Sequence, residues 1–301
     1  MKYNILIIIA FVSLPFFVFS QKSRKWKKMR YELIYGIGGT GFLGELGGAD
    51  KIGTHFVNDL EISMTRPLMF AGIRYRLTEV LSYKGGVYWG WLSGHDKKTE
   101  EEVRQYRNLH FRSPIVEFNN QIEYSIIKEP RSHKYSIRKV PGMSGSRFFK
   151  TNTYLFTGIN VFWFNPKAKY NNEWVALQPL GTEGQGIIES RKKYSRVSVS
   201  IPMGIGMKWI VDRQWCVGLE YGLRKTFTDY IDDVSKSYVD KSIFEDNVVA
   251  MALSDPSDGS NPGWTSAGEQ RGDPRYTDSY IFVTIYLAYK LRTGRGGRPM
   301  F

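Results

Sequence analysis

Residues 196–225 read RVSVSIPMGIGMKWIVDRQWCVGLEYGLRK. Val197, Val199, Ile201, Met203, Ile205, Met207 and Trp209 recur at every second position. After IVD the same rhythm resumes with Trp215, Val217, Leu219, Tyr221 and Leu223. A period of two is the signature of β-strands, so the stretch reads as a hairpin with one continuous apolar face. Its other face carries Arg196, Lys208, Glu220 and Arg224, spaced by Gly204, Gly206, Gly218 and Gly222. Which face meets water decides the fold. A soluble sandwich or barrel turns the apolar face inward, and so large a face overfills a narrow barrel. The inverse arrangement, apolar residues toward lipid and small or charged residues toward the lumen, fits better. Pro202 falls on the inward face. It lacks a ladder donor, so a bulge is expected there.

Six further segments alternate in the same way: Tyr31–Leu43, Pro67–Leu77, Leu81–Trp91, Pro114–Ile126, Leu155–Trp163 and Ile281–Leu291. None of their apolar faces carries a charge, although 24% of the chain is charged. The opposite faces supply Arg74, Arg76, Lys84, Glu117 and Glu123. Buried charges need partners, so these five are expected to join Arg196, Lys208, Glu220 and Arg224 in a closed ion-pair network. Trp91, Trp163, Trp209, Trp215, Tyr31 and Tyr289 fall near strand ends, where aromatic girdles belong. Closure of the sheet leaves no edge in lipid. The predicted fold is all-β: an eight-stranded antiparallel transmembrane β-barrel over 31–291, with long extracellular loops and one long periplasmic insertion at 128–150. Side chains fill a lumen of this size, which argues against a diffusion pore.

The first twenty residues, with Lys2 before ILIIIAFVSLPFFVF, read as a cleaved secretory signal ending at Ser20. No later run is long and apolar enough for a membrane helix. The single cysteine, Cys216, excludes an internal disulfide and reads as a small buried residue. The formal net charge of +13 is unevenly placed. The N-terminal stretch 21–30 carries six basic residues and no acidic one, the 128–150 insertion seven basic and one acidic, and the tail 292–301 three basic. All three lie on the predicted periplasmic side, so that end attracts acidic proteins or anionic headgroups. Within it Lys128, Arg131, Lys134, Arg138, Lys139 and Arg147 are the candidate partner-binding residues. Nucleic acid is not an expected partner of an exported barrel. The outer segment 228–277 has the opposite character, with ten acidic residues against four basic. Tyr230, Val234, Tyr238, Val239 and Ile243 recur there at helical spacing, which predicts a short amphipathic helix over the barrel mouth. DPSDGSN (255–261) lacks the remaining ligands of a calcium loop and reads as a turn.

No catalytic, cofactor or metal site is expected. GIGGTG (36–41) matches a dinucleotide fingerprint in letters alone, because no helix pattern follows it. His55, His95, His110 and His133 are scattered over loops without metal-ligand spacing. His95 and Asp96 near His110 form the one fragment that a rim enzyme could use.

Four stretches, LQPLGTEGQG (177–186), SIPMGIGMKW (200–209), FTDYIDDVSKSYVD (227–240) and QRGDPRYTDSYIFVTIYLAYKL (270–291), resemble PorG-type outer-membrane β-barrels of Bacteroidetes, as does GIGGTGFLGELGG (36–48). The resemblance implies a multi-pass component of the type IX protein secretion and gliding machinery. Its implied partners are outer-membrane lipid and a periplasmic ring built from a lipoprotein and a partner protein. No functional residue carries over from these motifs, and the 128–150 insertion has no counterpart in them. Two other classes stay open on the residues alone: an outer-membrane enzyme acting on lipid or peptide at the rim, and a small adhesin or channel.

Overall fold

In the computed structural model, which describes residues 27–46, 64–98, 101–129, 151–294 and 299–300, the opening stretch is a hairpin. Strand β9 (Val197–Ile210) turns into β10 (Trp215–Thr226) at Asp212. The Asp212 carboxylate accepts from the backbone N–H of Gln214 and of Trp215, both at 2.7 Å, and Val211 N–H closes the turn on the Trp215 carbonyl at 3.1 Å. Val199, Met203 and Leu219 are 38%, 46% and 40% exposed, whereas Lys208 and Glu220 on the opposite phase are 1% and 3% exposed. The apolar face is therefore the exterior.

The remaining strands are β1 (Tyr31–Leu43), β2 (Arg66–Arg76), β3 (Leu81–His95), β4 (His110–Ile127), β5 (Thr151–Gly158), β6 (Asn160–Phe164) and β11 (Ser279–Thr293). Each pairs antiparallel with its neighbours in the order β3-β2-β1-β11-β10-β9-β5-β4, and β3–β4 pairing shuts the ring. Strands β5 and β6 keep one register against β9 and, over Ile115–Ser125, against β4, and act as a single crossing interrupted at Ile159. The result is an eight-stranded barrel with a lipid-facing exterior, which is a membrane-spanning architecture. No helix among the described residues is long and apolar enough to cross a membrane.

The bulge expected at Pro202 is absent. Pro202 stays in uninterrupted register opposite Arg224. Its missing donor falls on the other flank, where β5 and β6 part at Ile159, so the ladder gap absorbs it without an extra residue. The register shift that does occur lies between β4 and β5, at Ser125 and Ile127.

One end of the barrel carries the tight β2–β3 and β9–β10 turns. At the β2–β3 turn Leu77 and Thr78 both donate to the Leu81 carbonyl at 2.9 Å. The other end carries the long connections and a hairpin, β7 (Lys167–Tyr170) with β8 (Glu173–Ala176), that extends β4 beyond the bilayer. Strand β12 (Pro299–Met300) adds a short pairing to β11. Aromatic pairs mark both rims. Tyr31–Tyr75 and Trp215–Tyr289 (4.9 and 4.8 Å between centroids) stand at the short-turn end, and Trp89–Trp91 (4.6 Å) at the other.

The predicted helix over 230–243 does not form. Asp232 Oδ1 accepts from Val234 N–H at 3.0 Å, Glu183 accepts from Ser235 and Lys236 N–H, and Asp233 adopts φ 66°. Carboxylates take the amides that helical carbonyls would have bonded. Val234 and Tyr238 are nonetheless buried over the mouth, and a helix follows later at Val248–Ser254. At 255–261 the acidic side chains accept from Ser257 and Ser260 N–H, as in ordinary turns.

Ile285 lies midway along β11 on the exterior. Replacing it with Arg is expected to lower the unfolding free energy in lipid vesicles by about 2–4 kcal/mol. Reversible denaturant titration would measure this, with Ile285→Val nearly neutral.

Candidate functional site

The lumen is built in layers from inward-facing positions. Near the short-turn end Glu32 of β1 receives Arg74 Nη1 and Lys208 Nζ, both at 2.8 Å. Arg74 Nε also lies 2.6 Å from Glu123 Oε2, a charge contact without hydrogen-bond alignment. Its Nη2 donates to the hydroxyls of Tyr154 and Tyr286, at 3.1 and 3.2 Å. Lys84 pairs with Glu220, which also accepts from the Tyr154 hydroxyl. Below this layer Glu129 joins Arg76, Lys208 and Lys290. Above it Glu117 accepts from Tyr280 at 2.6 Å and lies 3.6 Å from Arg224 Nε.

Of the nine predicted network residues, Arg74, Arg76, Lys84, Glu117, Glu123, Lys208, Glu220 and Arg224 face the lumen. Arg196 does not. It lies one residue before β9, exposed above the rim, where it donates to Asn165 at 3.4 Å. Alternation sets a side chain's direction only inside the ladder, and Arg196 stands outside it. Glu32, Glu129 and Lys290 complete the network without having been expected there. Glu32 and Lys290 sit on inward positions of β1 and β11 that the alternation could have found, whereas Glu129 follows β4 in the insertion.

Aromatic residues, expected only outside, also fill the lumen. Phe70 stacks on Tyr88 (4.4 Å between centroids), Tyr88 on Phe282 (5.6 Å), and Tyr280 meets both Phe282 and Phe162. Phe162, Phe164, Tyr194 and Tyr230 continue this column into the outer loops. Inward glycines make the room. A Cβ at Gly206 would collide with the Tyr154 ring, and one at Gly218 with the Tyr286 ring. With Arg224 and Lys84 lying against Phe282 and Phe70, the interior is a solid charged and aromatic plug.

The outer loops form a packed cap. Glu183 receives Arg271 Nη1 at 3.0 Å together with the Ser235 and Lys236 amides. Arg107 pairs with Asp96 (2.8 and 3.0 Å) and donates to the Arg271 carbonyl. Asp233 accepts from Tyr194 at 2.6 Å and from Thr182. Three stretches singled out in the sequence, 177–186, 227–240 and 270–291, therefore meet here, through Glu183, Asp233 and Arg271. Burial raises the Asp233 carboxyl to about 6 against the opposing pull of Arg271. Burial likewise raises Asp229 to about 8, helped by Glu45. Burial and mutual repulsion hold Asp232 and Asp278 well above the usual carboxylate range.

His95 and His110 face each other across β3 and β4 with ring centroids 5.4 Å apart. His110 Nε2 accepts from Lys169 N–H, His95 Nδ1 accepts from Lys97 N–H, and Asp96 is held by Arg107. The fragment is thus assembled but engaged in loop structure. His55 and His133 lie outside the described residues. In the basic patch Lys128 is exposed just past β4, while Arg131, Lys134, Arg138, Lys139 and Arg147 lie outside the described residues, as does the signal segment 1–20. Cys216 is buried.

Glu220→Gln would leave Lys84 and Arg74 undercompensated in a dry interior. A loss of about 3–5 kcal/mol is expected, read as a lower urea midpoint for the detergent-refolded barrel.

Among solved structures the chain is similar to Neisserial surface protein A (6% identity, covering 86% of this chain and 96% of that one, TM-score 0.36). It is similar to Ail of Yersinia pestis, solved with the heparin analogue sucrose octasulfate (8%, 87% and 99%, TM-score 0.37). A third is OprG of Pseudomonas aeruginosa (7%, 88% and 98%, TM-score 0.32). No curated protein matches the chain. Its own closed ring and apolar exterior establish the architecture, a multi-pass membrane-spanning barrel. A family model described as "Domain of unknown function (DUF6089)" matches residues 11–246, and the chain belongs to that family.

Proposed function

We propose that the protein is a non-enzymatic outer-membrane component of the type IX secretion and gliding apparatus, anchoring a periplasmic ring of lipoprotein and partner protein. The observation that carries this reading is the filled lumen. A barrel whose interior is closed by Arg74, Tyr154, Glu220, Tyr286, Tyr88 and Phe282 acts through its two end surfaces rather than by conduction. The short-turn end presents Lys28, Lys128, Arg213 and Arg292 to solvent. Such a surface favours an acidic protein partner, and the attraction raises the association rate and falls with salt. The sequence resemblance to PorG-type barrels supports a periplasmic lipoprotein ring as that partner.

The cap favours a second reading, a small adhesin. A loop assembly tied by buried ion pairs is rigid enough to present a fixed recognition surface outward.

Affinity capture of the full-length protein in mild detergent separates the two. The anchoring reading expects recovery of a periplasmic lipoprotein complex. Capture should drop at least about tenfold when Lys128, Arg131, Lys134, Arg138 and Lys139 are neutralised together. Retention of cell-surface binding with no periplasmic partner would favour the adhesin. Planar-bilayer recordings are expected to show no unitary current steps.

A further inference from the structure

Three carboxylates converge in the cap from separate segments: Glu45 after β1, Asp232 after β10 and Asp278 before β11. One oxygen from each lies within 4.8 Å of the others. Strands β1, β11 and β10 are adjacent in the ring, so the three residues crown three neighbouring strands. Asp229 lies three residues before Asp232 in the same irregular segment. Three acids gathered in this way repel one another, and none of them forms a salt bridge among the described residues.

An acidic cluster alone is no site, but the donors around this one are arranged with purpose. Backbone amides fix one oxygen of each carboxylate: Ile231 N–H to Asp278 Oδ2 (2.8 Å), Asp273 N–H to Glu45 Oε1 (3.0 Å), and Leu46 N–H to Asp232 Oδ2 (3.2 Å). Asp232 Oδ1 is taken by Val234 N–H at 3.0 Å, whereas the second oxygen of Asp278 is left over. Asp278 is 1% exposed and its Oδ1 has no hydrogen-bond partner; Asp229 is 8% exposed and neither of its oxygens has one. The Asp278 oxygen sits against Gly44, where any side chain would displace it. Asp232 also lines a small cleft beside Leu46, Val234 and Arg271.

We propose that Glu45, Asp232 and Asp278 form a calcium site that clamps the cap onto strands β1, β10 and β11. All donors are hard oxygens carried by irregular loops. That donor set suits calcium, which takes six to eight oxygens in flexible geometry, and offers nothing to metals that prefer nitrogen or sulfur. Arg107 and Arg271 stand near the group, but each spends its ion pair on another carboxylate, Asp96 and Glu183, so none of the three acids has a direct salt bridge among the described residues. The site is independent of the secretion reading, since it concerns the outer end only.

The test uses the full-length barrel, refolded in detergent, stripped with EDTA and titrated with calcium chloride by calorimetry. One ion per chain is expected, with a dissociation constant of about 10⁻⁴–10⁻³ M, in the range of extracellular modules. Calcium should also slow protease cleavage within 228–277. Asp278→Asn and Asp232→Asn should each weaken binding by more than about tenfold, while Asp258→Asn, in an exposed turn, should not. Retained heat-modifiability on gels certifies that each variant's barrel is folded. Absence of calcium heat and of protease protection in the folded wild-type protein overturns the proposal. So does binding that survives Asp278→Asn and Asp232→Asn unchanged.

Discussion

A charge enclosed in a narrow cylinder, itself enclosed by hydrocarbon, must find its counter-charge within the cylinder. Everything inside this barrel follows from that constraint. Arg74 reaches Glu32, Glu123 and Glu220 on three other strands, and Lys208 joins Glu32 to Glu129. Desolvation makes each of these ions costly alone, and only a nearly balanced set is tolerable. The aromatic column exists for a related reason. Space that charges do not fill must be filled by something dense, and rings lying flat over inward glycines do so without pushing strands apart.

The barrel was legible because alternation is a local signal. Every predicted crossing is present, and the stretch that opened the question carries Val199 and Met203 outside with Lys208 and Glu220 inside. The interior was only half legible. The same alternation that placed Glu220 inside also places Tyr154, Phe162, Tyr280 and Tyr286 there, yet ring size draws the reading toward the lipid face. Only three-dimensional closure shows which glycine lies under which ring. Arg196 went astray because it borders the ladder rather than belonging to it.

The cap resisted reading for a different reason. Its helical spacing over 230–243 is real, since Val234 and Tyr238 are both buried, but the periodicity does not control the backbone. Long-range acceptors do: Glu183 bonds amides more than fifty residues away, and Asp278 bonds Ile231 across the whole outer connection. Such bonds have no periodic trace. The short motifs of the outer segments make sense only once Arg271 is seen to reach Glu183.

The ring is closed by its first and last crossings, Tyr31 lying opposite Leu291. Glu32 travels with the first of these, and its partners Arg74 and Lys208 arrive from β2 and from β9. Until the two termini meet, an advancing sheet would drag solitary ions through acyl chains. Biogenesis must then keep the growing interior wet, or gather all the strands before release into the bilayer. Long-separation closure is also slow, which leaves the nascent protein dependent on assistance for as long as its plug is incomplete.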